Sequence, residues 1–352
     1  MKQKICICGG HVTPAVALMD ELSTHREIEL VFVGRRYAAE YQLITEKGIR
    51  FLPIIAGKLP RYVSLSSFVA LIKTPIGFVQ AFLYCFRERP SLVVSFGGYV
   101  ALPVAIVSWM MRIPVVTHEQ TLVPGLTNRI IARLARHIYV AFEETVRLFP
   151  KQKTTYIGLP MRSDIFVAPK NPPFDIDEKK YPLLYITGGS QGAQALNEAI
   201  VPIINTLTAT YTVIHQTGGT TIAPSARYLV KQYISSSELS WILQHAKIVI
   251  GRSGANTTIE LAALGKVAIF VPLPWAAGNE QFLNAKWLVS RGGAVMCEQK
   301  DLSPEKLLRI LTQVEKGYAP LHAKALKFTP QVPRDGAKRL ADGVLSILAP
   351  TV

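Results

Sequence analysis

Two stretches of the sequence, Ile5-Cys6-Ile7-Cys8-Gly9-Gly10-His11 and Leu183-Leu184-Tyr185-Ile186-Thr187-Gly188-Gly189-Ser190, share one pattern. Each has a run of mostly apolar residues, then a glycine pair and then a polar residue. The apolar run is typical of a buried strand in a parallel sheet, and glycine lets the backbone turn tightly and approach a ligand. A helix-forming sequence follows each stretch, so the echo predicts two similar doubly wound α/β domains.

Other β-branched runs alternate with longer helical stretches, which predicts parallel sheets covered by helices on both faces. The further predicted strands are 28–33, 92–96, 115–117, 138–141, 212–216, 248–250 and 268–271. Prolines cluster between Pro150 and Pro182, so we place the hinge near residues 158–182. The predicted domains are residues 1–160 and 161–330, and a last helix within 331–352 could pack back on the N-terminal domain.

Composition limits the class of protein before any motif is considered. With 352 residues, 49% of them apolar and 18% charged, the chain can bury a sizeable core and is not a disordered protein. The 39 basic residues exceed the 24 acidic ones, giving a net charge of +15, which is typical of proteins that bind nucleic acid, anionic membranes or phosphorylated substrates. Four cysteines without C-x-x-C spacing favour buried thiols in a reducing compartment over disulfides or a zinc site.

The positive charge of the first half is concentrated between Arg50 and Arg136. This segment has ten basic residues, and its acidic residues are Glu88 and Glu119 alone. The same region holds two long apolar stretches. Residues 90–111 are interrupted by Gly97-Gly98, which predicts a strand, a tight turn and a buried helix. Residues 62–86 contain Pro75 and Gly77, which predicts helical pieces lying on a membrane surface instead of a membrane span.

Three loops of the second half carry candidate ligand-binding groups. The segment 188–192 is a credible phosphate cradle, because the helix after it offers unpaired N–H groups to an anion. In 251–260, Glu260 is suited to accept hydrogen bonds from ribose hydroxyls, although Ser253 or Asn256 as a helix cap and a solvated Glu260 would be the structural alternative. The loop 272–281 holds amide and carboxylate groups suited to sugar hydroxyls.

Polar residues also follow predicted strands of the first half. His11 stands at a turn from loop to helix, where a neutral imidazole could accept a proton from a hydroxyl nucleophile. His118-Glu119-Gln120 follows another strand, whereas His215 is better explained as a structural histidine. Patterns of metalloproteases and serine hydrolases are missing from the sequence.

Taken in order, these motifs resemble one family. Its members are the inverting N-acetylglucosaminyltransferases of glycosyltransferase family 28 that convert lipid I to lipid II in peptidoglycan synthesis. The resemblance covers about residues 5–300 and rests on Gly9-Gly10-His11-Val12-Thr13-Pro14-Ala15, Gly97-Gly98-Tyr99, His118-Glu119-Gln120, Gly158-Leu159-Pro160-Met161-Arg162, Gly188-Gly189-Ser190-Gln191-Gly192, Arg252-Ser253-Gly254-Ala255 with Glu260, and Gln281 with Asn284-Ala285. It implies a GT-B fold, with two Rossmann-like doubly wound domains facing a cleft.

The resemblance also implies a division of roles among residues. His11 would be the general base, and Glu119 is assigned with it to the catalytic set. Residues implied to bind the UDP-N-acetylglucosamine donor are Arg162, Ser190, Gln191, Gly192, Ile234, Ser253, Gly254, Ala255, Thr257, Glu260, Glu280 and Gln281. Residues implied to bind the undecaprenyl-pyrophosphate-linked acceptor are Gly9, Gly10, His11, Tyr99, Glu119 and Thr121.

From the same resemblance we expect no metal and no cofactor, a peripheral protein on the cytoplasmic face of the cell membrane, cell-wall synthesis proteins as partners, and a link to cell shape and division. Because the family docks its N-terminal domain on that membrane, the resemblance gives candidates for insertion, of which we expect about half to be core: Leu65, Phe68, Leu71, Ile72, Phe78, Phe82 and Trp109. Residues that would contact headgroups are Lys58, Arg61, Lys73 and Arg87.

The chain departs from the family pattern at three points. The first loop has one glycine pair instead of two, Thr121 stands where Asn is common, and Glu280 replaces His or Gln. A UDP-sugar transferase with another glycolipid or small-molecule acceptor is therefore the alternative. Nucleic-acid binding is not expected, because the basic residues are not interleaved with an aromatic platform and no nucleic-acid motif is present.

Overall fold

The computed structural model describes residues 2–36, 39–57, 65–167, 169, 173–189 and 192–349, with side chains described at all of these positions except 39, 65–73 and 277. The chain divides into two units, residues 1–162 with 334–352, and residues 163–333. The chain thus passes from one unit to the other twice, first after Arg162, within the segment predicted as the hinge, and again after Pro333.

Seven parallel strands form the sheet of the first unit, in the order β3-β2-β1-β4-β5-β6-β7. The order reverses between β1 and β4, and this switch point is where open α/β sheets bind ligands. The strands are β1 (Gln3–Cys8), β2 (Ile28–Gly34), β3 (Arg50–Pro53), β4 (Leu92–Ser95), β5 (Val115–Glu119), β6 (His137–Val140) and β7 (Thr154–Tyr156). The helices between them are α1 (Val12–Leu22), α2 (Ala39–Glu46), α3 (Leu65–Glu88), α4 (Gly98–Met110) and α5 (Leu126–Leu134).

The second unit repeats this plan with six parallel strands in the order β10-β9-β8-β11-β12-β13, and its switch point lies between β8 and β11. Its strands are β8 (Leu183–Thr187), β9 (Thr212–Gln216), β10 (Tyr228–Lys231), β11 (Ala246–Gly251), β12 (Val267–Phe270) and β13 (Ala294–Met296). Its helices are α6 (Gln194–Ile200), α7 (Ile204–Thr210), α8 (Ser236–His245), α9 (Ala255–Leu264), α10 (Glu280–Val289), α11 (Pro304–Lys316) and α12 (Tyr318–Phe328). The predicted similarity between residues 5–11 and 183–190 is therefore a similarity between β1 and β8, which are the first strands of the two sheets in chain order.

The first strand shows why its sequence is apolar on both faces. Ile5 and Ile7 belong to the core cluster that includes α1 and the last helix, α13 (Gly336–Leu348), whereas Cys6 and Cys8 belong to the cluster on the other face, with α3 and α4. All four cysteines are buried thiols, as the strand interpretation requires. Helix α13 contacts α1 and so returns to the first unit.

The apolar stretch before β4 differs from its prediction. It forms one 24-residue helix, α3, instead of separate helical pieces. Pro75 removes a single helical N–H, and Gly77 serves close packing, since a Cβ there would lie 2.4 Å from the Ile55 carbonyl oxygen. In the part of the chain that the structure describes, no helix combines the length and the apolar character that crossing a bilayer requires.

The membrane-contact candidates divide into three groups. Phe82 and Trp109 are exposed, whereas Phe78 packs against the core. The backbone of Lys58 and Arg61, and the side chains of Leu65, Phe68, Leu71, Ile72 and Lys73, lie outside the described residues. Arg87 is exposed at the end of α3. The structure adds exposed apolar residues that the sequence did not single out, namely Ile76, Val79, Leu83, Phe86 and Met110.

Candidate functional site

The glycine loops of the first unit meet at its switch point. Gly9-Gly10 follows β1 and Gly97-Gly98 follows β4, and the Gly10 N–H donates to the Gly97 carbonyl at 3.1 Å. Gly97 has a φ of +72°, and a Cβ there would lie 2.2 Å from Asn128 Oδ1. Only glycine satisfies both the left-handed backbone and the close approach of α5.

His11 begins the helix that follows the first glycine pair. It is the N-cap of α1, but its side chain makes no cap hydrogen bond. Burial lowers the pKa of the His11 imidazole from its ordinary value of 6.5, because the charged form loses hydration. The side chain is partly exposed, so a neutral imidazole is held at the switch point within reach of solvent or a ligand.

Glu119 is saturated by hydrogen bonds within the chain. Its Oε1 accepts from the Thr121 N–H at 2.8 Å and from the Thr121 hydroxyl at 2.7 Å, and its Oε2 accepts from Asn128 Nδ2 at 2.7 Å. Asn128 Oδ1 in turn accepts from the Gly98 N–H at 3.2 Å. Burial raises the pKa of the Glu119 carboxyl, although these hydrogen bonds oppose the shift. This geometry favours a role in shaping the loop over the catalytic role that the resemblance implies.

His118, on β5, makes a hydrogen bond to the segment that precedes the first passage of the chain from one unit to the other. Its Nε2 lies 3.1 Å from the Gly158 carbonyl oxygen, which can only accept, so Nε2 carries the proton. Its Nδ1 then accepts from Gln120 Nε2 at 3.0 Å. Burial lowers the pKa of His118 to about 4, so this side chain is a neutral tether near pH 7.

The second unit holds a cavity of about 570 Å³ at its own switch point. Its walls come from the loop after β8, the start of α6, the ends of β11 and β12, and the segment after β13. The lining residues are Gly188, Gly189, Gly192, Ala193, Gln194, Ala195, Glu198, Arg252, Leu273, Trp275, Gln281 and Gln299. Of the donor residues implied by the resemblance, Gly192 and Gln281 line it.

Arg252 fastens three strand ends of this cavity together. Its Nη1 donates to the Val271 carbonyl at 2.8 Å and its Nη2 to Gln299 Oε1 at 2.6 Å. Arg252 is buried, which lowers the pKa of its guanidinium, yet an arginine remains charged. One side chain therefore links the loops after β11, β12 and β13.

The loop predicted to contact sugar hydroxyls, residues 272–281, is held by a bond to the loop after β11 and by one bond of its own. Ser253 Oγ donates to the Gln281 carbonyl at 2.7 Å, and Asn284 Nδ2 donates to the Ser253 carbonyl at 3.1 Å. Gln281 Oε1 accepts from the Leu273 N–H at 3.0 Å, which leaves the side-chain NH₂ group of Gln281 as the part that can donate to a ligand. Glu280 begins α10 and is partly buried.

The start of α9 contradicts the structural alternative drawn from the sequence. Gly254 is the N-cap, so neither Ser253 nor Asn256 caps the helix, since Ser253 is engaged with Gln281 and Asn256 already lies inside the first turn. Glu260 is buried instead of solvated. Ala255 and Thr257 lie in the first turn, as the predicted anion-facing helix start requires.

The remaining residues predicted to bind the donor substrate lie in separate parts of the chain. Ile234 is buried immediately before the capping box of α8, and Arg162 is the last residue of the first unit. Ser190 and Gln191 lie outside the described residues. Among the side chains that are described, no three His, Cys, Asp or Glu residues group so as to hold a metal ion.

His215 is a structural histidine, as the sequence favoured. Its Nε2 donates to Asn197 Oδ1 at 3.0 Å and its Nδ1 accepts from the Tyr228 hydroxyl at 2.7 Å. Asn197 Nδ2 donates to the Thr217 carbonyl at 3.1 Å. A Cβ on Gly192 would lie 2.5 Å from that same carbonyl oxygen, so the buried network supports the wall of the cavity.

Comparison with known proteins places the chain in one family. The model of the glycosyltransferase family 28 N-terminal domain matches residues 8–140, and that of the C-terminal domain matches residues 183–340. A transferase of Shouchella clausii (strain KSM-K16) is 36% identical over 314 residues, which are 88% of this chain and 88% of that protein. The chain belongs to glycosyltransferase family 28.

Other members of family 28 support this placement. The Shouchella relative is named UDP-N-acetylglucosamine–N-acetylmuramyl-(pentapeptide) pyrophosphoryl-undecaprenol N-acetylglucosamine transferase. A protein of the same name from Clostridium perfringens (strain 13 / Type A) is 34% identical, covering 90% of this chain and 91% of that protein. The crystal structure of Acinetobacter baumannii MurG superposes with a TM-score of 0.73 at 26% identity, covering 98% of this chain and 99% of that chain. The predicted GT-B fold and the resemblance are confirmed.

Several residues at the two sites were missed by sequence reasoning. Asn128 and Gln299 carry no local signature, because the residues they bond, Gly98 and Arg252, are distant in sequence. Arg35 follows β2 and reaches Tyr99, 64 residues away. The signal that could have found Arg35 was its position, since a basic residue directly after an apolar strand lies at the ligand-binding edge of a parallel sheet.

Proposed function

We propose that the protein transfers N-acetylglucosamine, with inversion, from UDP-N-acetylglucosamine to the C4 hydroxyl of the muramyl sugar of undecaprenyl-pyrophosphate-linked lipid I, giving lipid II. The observation that carries this proposal is the similarity, over about nine-tenths of both chains, to family 28 relatives whose name states that donor and that acceptor. The glycine loops at both switch points supply a place for each substrate.

In this proposal His11 is the general base. The acceptor C4 oxygen attacks the anomeric carbon of the donor sugar, the bond from that carbon to the diphosphate oxygen breaks, and UDP leaves with the bonding electrons. The hydroxyl proton passes to the His11 imidazole. A base must be neutral to accept it, and burial, by lowering the pKa of His11, favours the neutral form near pH 7.

The negative charge that develops on UDP would be stabilised by the chain itself. The start of α9, with Gly254 as N-cap, offers backbone N–H groups and the positive end of a helix dipole, and Arg162 would add a fixed positive charge. Glu260 would hold the ribose, the backbone at Ile234 the uracil, and the Gln281 amide the sugar. We include no metal or cofactor in this mechanism.

The assay that tests this function follows release of UDP and formation of the disaccharide product. We expect turnover with a lipid I analogue and no comparable turnover with other glycolipids or glycosylated small molecules. The single glycine pair, Thr121 and Glu280 are the departures that favour the alternative of a different acceptor. Consumption of donor with another acceptor, but not with lipid I, would establish that alternative.

We further propose that the first unit docks on the cytoplasmic face of the cell membrane, where the lipid acceptor and other cell-wall synthesis proteins would be found. Exposed apolar residues recur at helical spacing along one side of α3, which we call the α3 stripe: Ile76, Val79, Phe82, Leu83 and Phe86. Exposed Arg87 and Arg89 at the end of α3 would contact anionic headgroups.

Docking can be tested with a matched pair of substitutions. Phe82 on α3 is 50% exposed and Leu326 on α12 in the second unit is 49% exposed. Replacing Phe82 with Asp should weaken sedimentation with anionic vesicles several-fold and leave the melting temperature unchanged, whereas Leu326→Asp should leave vesicle binding intact. Equal binding of both variants to the vesicles would show that the α3 stripe does not contact the membrane.

A further inference from the structure

A hydrogen bond in the first unit crosses the carboxyl end of its first strand. Strand β1 lies between β2 and β4, and Cys8 is paired with Val33 of β2 and with Ser95 of β4. Arg35 comes directly after β2 and Tyr99 directly after the glycine loop of β4. Arg35 Nη1 donates to the Tyr99 hydroxyl at 3.0 Å, so the contact passes above the end of β1, where Gly9-Gly10 lies.

A buried carboxylate holds Arg35 in this position. Glu40 Oε1 accepts from the Arg35 backbone N–H at 3.1 Å and from its Nε at 3.4 Å. Glu40 is buried, whereas 47% of the Arg35 side chain is exposed. The arginine is therefore fixed from behind by one ion pair while its outer part stays open to solvent.

The guanidinium keeps donors for a ligand in this arrangement. It has five N–H groups, and the bonds to Glu40 and Tyr99 engage Nε and one N–H of Nη1. Because the Tyr99 oxygen accepts from Arg35, the Tyr99 O–H is left to donate elsewhere. A planar cation and a hydroxyl donor beside a glycine loop match the oxygens of a phosphate or diphosphate group.

We propose that Arg35 binds the diphosphate of the lipid-linked acceptor, a role that rests on the proposed function. The loop it flanks has a single glycine pair, since the residues up to Cys8 belong to β1, so it offers fewer flexible backbone amides than the usual family loop with two pairs. A fixed guanidinium supplies charge and donors where those amides are missing. The ligand class is a diphosphate ester, recognised at its two phosphoryl groups and not at its sugar.

Equilibrium binding of two acceptor analogues tests this role without requiring turnover. The probes are a short-chain prenyl-diphosphate-linked muramyl pentapeptide and its monophosphate counterpart. Arg35→Gln should weaken binding of the diphosphate probe about tenfold to hundredfold, the range for loss of a charge-assisted hydrogen bond. Binding of the monophosphate probe should weaken clearly less, because it offers the guanidinium one phosphoryl group instead of two, and Arg35→Lys should recover part of the loss because it keeps the charge.

Arg26→Gln is the matched control. Arg26 is exposed before β2, at the opposite end of the strand that Arg35 follows, and its replacement removes the same charge from the same unit. We expect it to bind both probes like the wild type, and UDP binding should be unchanged in every variant. A change in UDP binding with Arg35→Gln would assign the arginine to the donor diphosphate and overturn the proposal.

The other outcomes are equally decisive. Equal weakening of both probes by Arg35→Gln would mean that Arg35 merely holds Tyr99 in place, and no weakening would leave it without a role in binding. Absence of binding of either probe to the wild type would overturn this proposal together with the acceptor assignment. Tight diphosphate binding without sugar transfer would overturn the transferase function alone.

Discussion

The two switch points use the same backbone plan and carry different chemistry. His11 follows β1 and His118 lies on β5, the strand beside β4, whereas Arg252, Ser253 and Gln281 lie around β8 and β11. Burial lowers the pKa of both histidines of the first site, whereas these three side chains of the second site are an arginine that keeps its charge near neutral pH, a hydroxyl and an amide. We therefore expect proton transfer at the first site and recognition of a fixed ligand at the second.

Replacing His11 with Ala should impair catalysis at the first site and leave nucleotide binding at the second site unchanged. Removal of a general base lowers kcat by about 10²–10⁴-fold, and UDP affinity should stay within twofold of the wild type. Steady-state kinetics and a UDP titration measure the two quantities. His25→Ala is the control, since His25 lies on an exposed turn before β2, and a kcat for His11→Ala within threefold of the wild type would remove His11 from the mechanism.

The pH profile tests the same histidine without a substitution. A base with a pKa below 6.5 is already neutral at pH 7, so kcat/KM should be flat from pH 8 down to about pH 6.5. Below the lowered pKa the imidazole is protonated, and the rate should fall about tenfold per pH unit. A fall that begins near pH 7.5 would contradict the effect of burial.

Replacing Arg252 with Met should weaken ligand binding at the second site and leave the first site unchanged. The variant keeps the volume but leaves the Val271 carbonyl and Gln299 without their donor, which costs about 1–3 kcal/mol. We expect UDP to bind about tenfold more weakly and the melting temperature to fall, with kcat at saturating donor largely retained. Arg309→Met, at an exposed position of α11, should change neither quantity, and a variant Arg252→Met with wild-type UDP affinity would show that the loops hold their positions unaided.

Glu119→Gln should give the smallest effect of these substitutions. It distinguishes a role of Glu119 in shaping the loop of the first site from a role in proton transfer. The amide replaces one carboxylate acceptor with a donor, so one hydrogen bond to Thr121 or Asn128 is lost and the loop loosens. The KM for the acceptor should rise several-fold while kcat stays within threefold. A hundredfold loss of kcat would instead assign Glu119 to proton transfer.

The central strands of both sheets could be predicted from the sequence, and the edge strands could not. Strand β4 is buried along its whole length and β11 is buried except at Lys247, and each contains an apolar run of three residues, which is a strong local signal. The unpredicted strands β3, β7, β10 and β13 are the four sheet edges. They are three or four residues long and carry residues such as Arg50 and Lys231, because an edge strand has only one paired neighbour.

Prediction of the sites follows a similar division. Glycine loops and His11 could be found because the motif lies within a few residues of a strand end. The partners that fix those loops could not, since Arg252 meets Gln299 from 47 positions away and Arg35 meets Tyr99 from 64. Such pairs depend on which strands are neighbours in the sheet, and local pattern does not specify strand order.

The return of α13 to the first unit has a consequence for biosynthesis. Leu340, Ala341 and Val344 of this helix share a core cluster with Ile5 and Ile7, so the unit whose sheet is synthesised first is the last to be completed. Residues 163–333 form an uninterrupted segment and can fold as soon as they leave the ribosome. Until α13 arrives, the apolar residues of the first unit that it covers remain without that partner, so we expect the first unit to complete its folding after the second.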